Sequence, residues 1–165
     1  MFNVGDKIVN KNGKVCEIVK IETVDYGVGP KTYYVLRPCF SSNKSLKIHV
    51  PVDQEANLRP TMTKEEVEAL LVQVPTIDTI WYTNPKVRKA KFKELSTSGE
   101  PIEIFRLIKS FLEKKEEYRV ERKALSFTDE NFLKELRVNI FNEIAIALNM
   151  SLEEVENYLC ERVGV

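Results

Sequence analysis

Up to about residue 60 the apolar and polar positions alternate. In "DKIVNKNGKVCEIVKIETV" the alternation breaks at Asn12-Gly13, and Asn-Gly between two such runs is a strong hairpin signal. "KTYYVLRPCF" and "LKIHVPV" are further strand candidates, rich in aromatic and β-branched residues. "DYGVGP" reads as a Gly/Pro connection and "SSNKS" as a turn. Four or five short strands in so short a stretch predict a small, strongly bent antiparallel sheet or half-barrel.

After "ANLRPTM" the period becomes helical. Thr63 with Glu66 forms a capping box that opens a helix over about 64–74, which stops before Pro75. A second helix starts at Pro85 with Asn84 as its cap and ends before Ser98-Gly99. The third spans "PIEIFRLIKSFLEKKEEYRVERKA". A fourth starts from a Ser126/Thr128 cap, and the fifth from Ser151 with Glu154 in another capping box. The expected class is therefore α+β: a β module over residues 1–58, then an all-α bundle of about five helices over 62–165. No internal repeat or low-complexity segment is visible.

Charge changes this picture. The 165 residues carry 25 basic and 25 acidic side chains, a net charge of zero. The distribution is uneven, because the nine residues 85–93 hold five cations and no anion, whereas 126–165 is acidic. Such a cluster is a candidate nucleic-acid footprint that the whole-chain balance conceals. It lies just after the chain's one tryptophan, Trp81, in "IWYTNPKVRKAKFKEL". At 100° per residue Lys86, Lys89 and Lys93 make one ridge, while Val87, Phe92 and Leu95 face the core and Arg88 and Lys91 flank them. A cationic ridge beside an indole suits a phosphate backbone and an exposed base. The competing reading is equally simple: Trp81 packs on the bundle and the lysines keep the helix soluble.

Catalytic signals are missing. There is no GxxxxGK[ST], GxGxxG or GxSxG, and "GVGP" at 27–30 is a turn with no helix behind it. Cys16, Cys39 and Cys160 lack CxxC spacing and read as idle thiols, and the one histidine, His49, sits in a strand with no partner nearby in sequence. We expect no enzyme activity, no cofactor and no metal centre. No apolar run approaches the roughly 20 residues that span a bilayer, and the N-terminal residues do not read as a signal peptide. The expectation is a monomer in the cytoplasm, away from membranes.

"FNVGDKIV", "YYVLRP" and "LKIHVPVD" followed by "LRP" resemble the N-terminal signature of the CarD/CdnL family of bacterial transcription regulators. The same module occurs in the transcription-repair coupling factor. The second half is similar too: a Trp, a basic helix ending in Leu, and the turn "ELSTSGE". The resemblance covers almost the whole chain. It implies a Tudor-like N-terminal domain that docks on the RNA polymerase β subunit. It implies a helical domain that contacts upstream promoter DNA in the minor groove without sequence-specific readout, stabilising the open complex. By this matching Trp81 is the wedge, joined at the DNA by Tyr82, Lys86, Arg88, Lys89 and Lys93. Ile21, Glu22, Thr23, Val24, Lys47 and His49 fall on the polymerase-facing surface. His49 stands where family members often carry Arg, Val24 where some members carry another, and Asn84-Pro85 lies in a short insertion. Two other classes stay open: a protein–protein adaptor with a structural helical bundle, and an RNA-associated small-barrel protein.

Overall fold

The computed structural model describes residues 1–165. The chain divides into two units, Met1–Thr61 and Met62–Val165.

The first unit is one antiparallel sheet of five strands: β1 (Lys7–Asn10), β2 (Val15–Asp25), β3 (Pro30–Pro38), β4 (Ile48–Pro51) and β5 (Leu58–Pro60), in the order β4-β3-β2-β1-β5. The β1–β2 hairpin turns at Asn12-Gly13, where the positive φ of 77° needs glycine. The Asn10 side chain accepts from the Asn12 and Lys14 amides and closes that turn. At the β2–β3 turn Asp25 does the same for the amides of Gly27 and Gly29. The three-residue β5 pairs with β1 as an edge strand, and "NLRP" read from sequence as the boundary of the module rather than as a strand. Ile8, Cys16, Ile18, Tyr34, Leu36 and Leu58 form the core on one face. The buried Tyr34 hydroxyl accepts from the Phe2 amide and donates to Glu55.

The second unit is all-α: α1 (Lys64–Gln73), α2 (Pro85–Ser96), α3 (Pro101–Val120), α4 (Phe127–Leu148) and α5 (Leu152–Val163), with a 3₁₀ turn at Val74–Thr76. The class is α+β, an antiparallel sheet followed by a helical bundle. Both capping boxes form: Thr63 with Glu66, and Ser151 with Glu154. Asn84 accepts from the Lys86 and Val87 amides, and Ser126 accepts from Asp129. Four helices thus start where a short polar side chain satisfies amides that helix geometry leaves open. The core is aromatic at its centre, with Phe92, Phe105 and Phe111 fully buried. Glu143 is buried too, and accepts from the Met62 amide at 3.0 Å, fixing the entry of the chain into this unit. No helix is long and apolar enough to cross a membrane.

Candidate functional site

Between the 3₁₀ turn and α2 the chain is irregular, and it carries Trp81. Backbone outside regular structure needs hydrogen-bond partners from elsewhere. Here they come from one face of α3. Arg106 Nη1 donates to the Asp78 carbonyl at 2.7 Å. Lys109 Nζ donates to the carbonyls of Pro75 and Ile77, both at 2.9 Å. The Ser110 hydroxyl accepts from the Ile80 amide at 3.0 Å, and the Glu113 carboxylate accepts from the Thr79 hydroxyl at 2.6 Å. Positions 106, 109, 110 and 113 share one helical face. This row of four side chains holds the segment leading into Trp81.

The indole itself is half-buried. It packs edge-on against Phe92 (centroids 5.9 Å apart) and Phe111 (5.6 Å). The Arg88 guanidinium carbon lies 4.5 Å from the ring centroid, and Lys114 Nζ lies 5.5 Å from it. Both distances fall in the range of cation–π attraction. Tyr82 packs on Phe92 as well, at 6.1 Å. The indole therefore belongs to the surface layer of the core, with part of its ring left open.

Two expectations about α2 are corrected. Arg88 is not available to DNA, because it is 7% exposed. Its Nη2 and Nε donate to the two carboxylate oxygens of Asp129 at 2.8 and 3.3 Å, and its Nη1 donates to the Tyr82 and Thr83 carbonyls. The bidentate fork and two carbonyls make this burial tolerable, since a buried guanidinium without partners would be costly. Val87 is exposed instead of packed. Of the three apolar positions that hydropathy selects on α2, Phe92 is buried and Leu95 packs against the core, while Arg88 turns inward in place of Val87.

The local excess of positive charge shrinks accordingly. Arg88 is neutralised by Asp129, and Lys91 lies 3.7 Å from Glu94. The side chains of Lys86, Lys89 and Lys93 are exposed and make no hydrogen bond or ion pair, so three of the five cations remain free. They sit as one ridge on the helix that begins at Pro85, four residues after the pinned indole.

In the first unit β2 is longer than β1, which pairs only with Val15–Glu17. Beyond Ile18 the β1-side edge of β2 has no partner strand, while its other edge pairs with β3 out to Asp25. Ile21–Val24 lie on this open stretch. His49 lies on β4, the other sheet edge, and Lys47 just precedes it. On one face Glu22 meets His49 Nε2 at 3.4 Å across β3, and Tyr33 packs edge-on against His49 and against the exposed Tyr26. Glu22 also pairs with Lys20, and hydrogen bonding from Lys20, then from His49, holds its carboxyl below the usual range. Ile21 and Thr23 point to the opposite face, where Thr23 bonds the Thr32 hydroxyl at 2.8 Å. The six expected partner-facing residues thus fall on two edges and two faces, with Glu22 and His49 joined across β3.

The structure gathers no group of three or more His, Cys, Asp or Glu side chains that could hold a metal ion. Sequence reasoning missed the α3 row and the Arg88–Asp129 pair. The row's i, i+3, i+4, i+7 spacing is visible in the sequence, but the partners of its side chains lie 28 to 34 residues away and Asp129 lies 41 residues from Arg88. In comparisons with known proteins, no family model matches the chain, and no curated protein matches it.

Proposed function

We propose that the protein is a non-enzymatic transcription regulator of the CarD/CdnL kind. It binds the RNA polymerase β subunit through Met1–Thr61 and upstream promoter DNA through Met62–Val165. The observation that carries this reading is the ridge of free lysines Lys86, Lys89 and Lys93 beside an indole held in place by α3. Three unpaired cations on one helix face give phosphates a place to bind, and they offer no base-specific pattern. The half-open ring of Trp81 then meets the DNA, supported by Tyr82. In the first unit, the unpaired edge of β2 over Ile21–Val24 offers main-chain groups to an incoming strand, a recurring mode of partner recognition. Three phosphate contacts alone bind DNA weakly, and tethering to polymerase raises the effective concentration. On this reading the protein works as a monomer in the bacterial cytoplasm.

One observation favours the adaptor reading. Trp81 packs on Phe92 and Phe111 as a core residue would, so its burial can be purely structural. The two readings separate on one pair of measurements. The tagged chain should recover RNA polymerase from a bacterial lysate, and added protein should lengthen the lifetime of a promoter open complex. Recovery of polymerase with no change in lifetime supports the adaptor. Failure to recover polymerase sinks the regulator outright.

A further inference from the structure

A groove of about 340 Å³ opens on the helical unit between α3, α4 and α5, away from the lysine ridge in sequence and unused by the proposed function. Its apolar lining comes from Leu112, Leu133, Val138, Phe141 and Leu152. Val138 and Leu152 are close to half exposed there and give the groove an accessible apolar wall. The volume sits at the low end of the roughly 300–1,000 Å³ typical of small-molecule sites.

Arg137 is the group that gives the groove a chemistry. Its guanidinium lies 5.3 Å from the Phe141 ring centroid, and its only ion pair, to Glu156, is long at 3.8 Å. None of its donors makes a hydrogen bond, and its Nε is also cut off from water. The contrast with Arg88, whose donors meet a carboxylate and two carbonyls, is sharp. Lys134, one turn earlier on α4, also lines the groove and has no partner, whereas Lys115 is neutralised by Glu130 at 2.9 Å. A planar guanidinium with idle donors fits a carboxylate, which it binds through two parallel hydrogen bonds. The aliphatic lining fits the rest of such a ligand.

We infer that this groove binds a small amphipathic monocarboxylate, with the carboxylate on Arg137 and Lys134 and an aliphatic chain of medium length along Leu112, Leu133, Val138 and Leu152. Glu156, largely exposed and loosely paired, is the anion that the ligand displaces.

The test is calorimetric titration of the full chain with decanoate, with decanol and acetate as controls. Decanoate should bind saturably at one site per chain, and decanol and acetate should each bind at least about tenfold more weakly. Arg137→Gln should weaken decanoate binding by about 10- to 100-fold, the range for a hydrogen bond to a charged group. Glu156→Gln, at an exposed position, should tighten it by removing the competitor. Thermal melts of both variants separate loss of binding from loss of fold. Absence of saturable binding to the wild-type chain overturns the proposal. So does decanoate binding that Arg137→Gln and Glu156→Gln both leave unchanged in folded protein.

Discussion

Arg88 shows how little a side chain's role follows from its type. In a run of five cations it alone is buried, because it alone finds a carboxylate and two carbonyls within reach. Arg88→Ala would leave Asp129, whose side chain is 14% exposed, without its counter-charge. Breaking a buried pair in this way costs about 3–5 kcal/mol. Urea unfolding followed by Trp81 fluorescence should show that loss, and Arg88→Lys should recover only part of it, since an ammonium lacks the planar fork. A loss under about 1 kcal/mol for the alanine variant would mean that the pair contributes little beyond what water offers. Cysteines divide in the same way. Cys16 is fully buried, and burial pushes its thiol up to about 11, whereas Cys160 is exposed. The thiolate is the reactive form. Iodoacetamide at neutral pH should therefore label Cys160 in the native protein and reach Cys16 only after unfolding, as peptide mass mapping can determine.

The helices follow from local signals, and so their starts were legible in the sequence. Thr63, Asn84, Ser126 and Ser151 each cap a helix with the side chain expected of them. Asn84→Ala should cost about 1 kcal/mol, as the loss of an N-cap does; a neutral result would mean that Pro85 alone sets the start of α2. What was not legible is non-local. Hydropathy placed Val87 inside and left Arg88 on the flank, because the Asp129 that draws Arg88 inward is 41 residues away. The row Arg106, Lys109, Ser110 and Glu113 reads in sequence as an ordinary solvated face, and only the fold brings the 75–80 segment onto it. β5 escaped notice because three residues ending in proline carry no alternation worth reading. The free lysines of α2 yield a prediction that does not depend on those details. Replacing Lys86, Lys89 and Lys93 by Ala should weaken polymerase-tethered promoter binding equally across promoter sequences. It should lower the slope of log affinity against log salt by about 2.7, roughly 0.9 for each phosphate that is no longer neutralised. An unchanged slope would assign these lysines to solubility alone.

Each unit is stabilised internally in its own way, and acid should tell the two apart. The buried cluster of the β unit has six residues, whereas that of the helical unit has twenty. A small core leaves the β unit more dependent on its polar ties. Glu17 is one of these: it pairs with Arg37 at 2.9 Å and Lys7 at 3.1 Å, joining β2 to both neighbours. Hydrogen bonds from Arg37, then from Lys7, hold its carboxyl below the ordinary value of 4.5. Glu22, tied to Lys20 and across the sheet to His49, is lowered as well. A carboxyl with a depressed folded-state pKa adds stability above its unfolded value and loses it as pH falls through the folded one. These contributions are thus complete at neutral pH and disappear below about pH 4.5. The helical unit also has depressed carboxyls, Glu116, Glu121 and Glu154, but their partners are two or three residues away within one helix or its end. Protonating them frays a turn and leaves the tertiary core untouched. Two-dimensional amide NMR between pH 7 and pH 3 should therefore show the β-unit resonances collapsing before those of the helical unit. The fluorescence of Trp81, the sole tryptophan, should stay native through that first step. If the tryptophan signal moves first, the cross-strand pairs of Glu17 and Glu22 do not limit acid stability, and the β unit rests on its small apolar core alone.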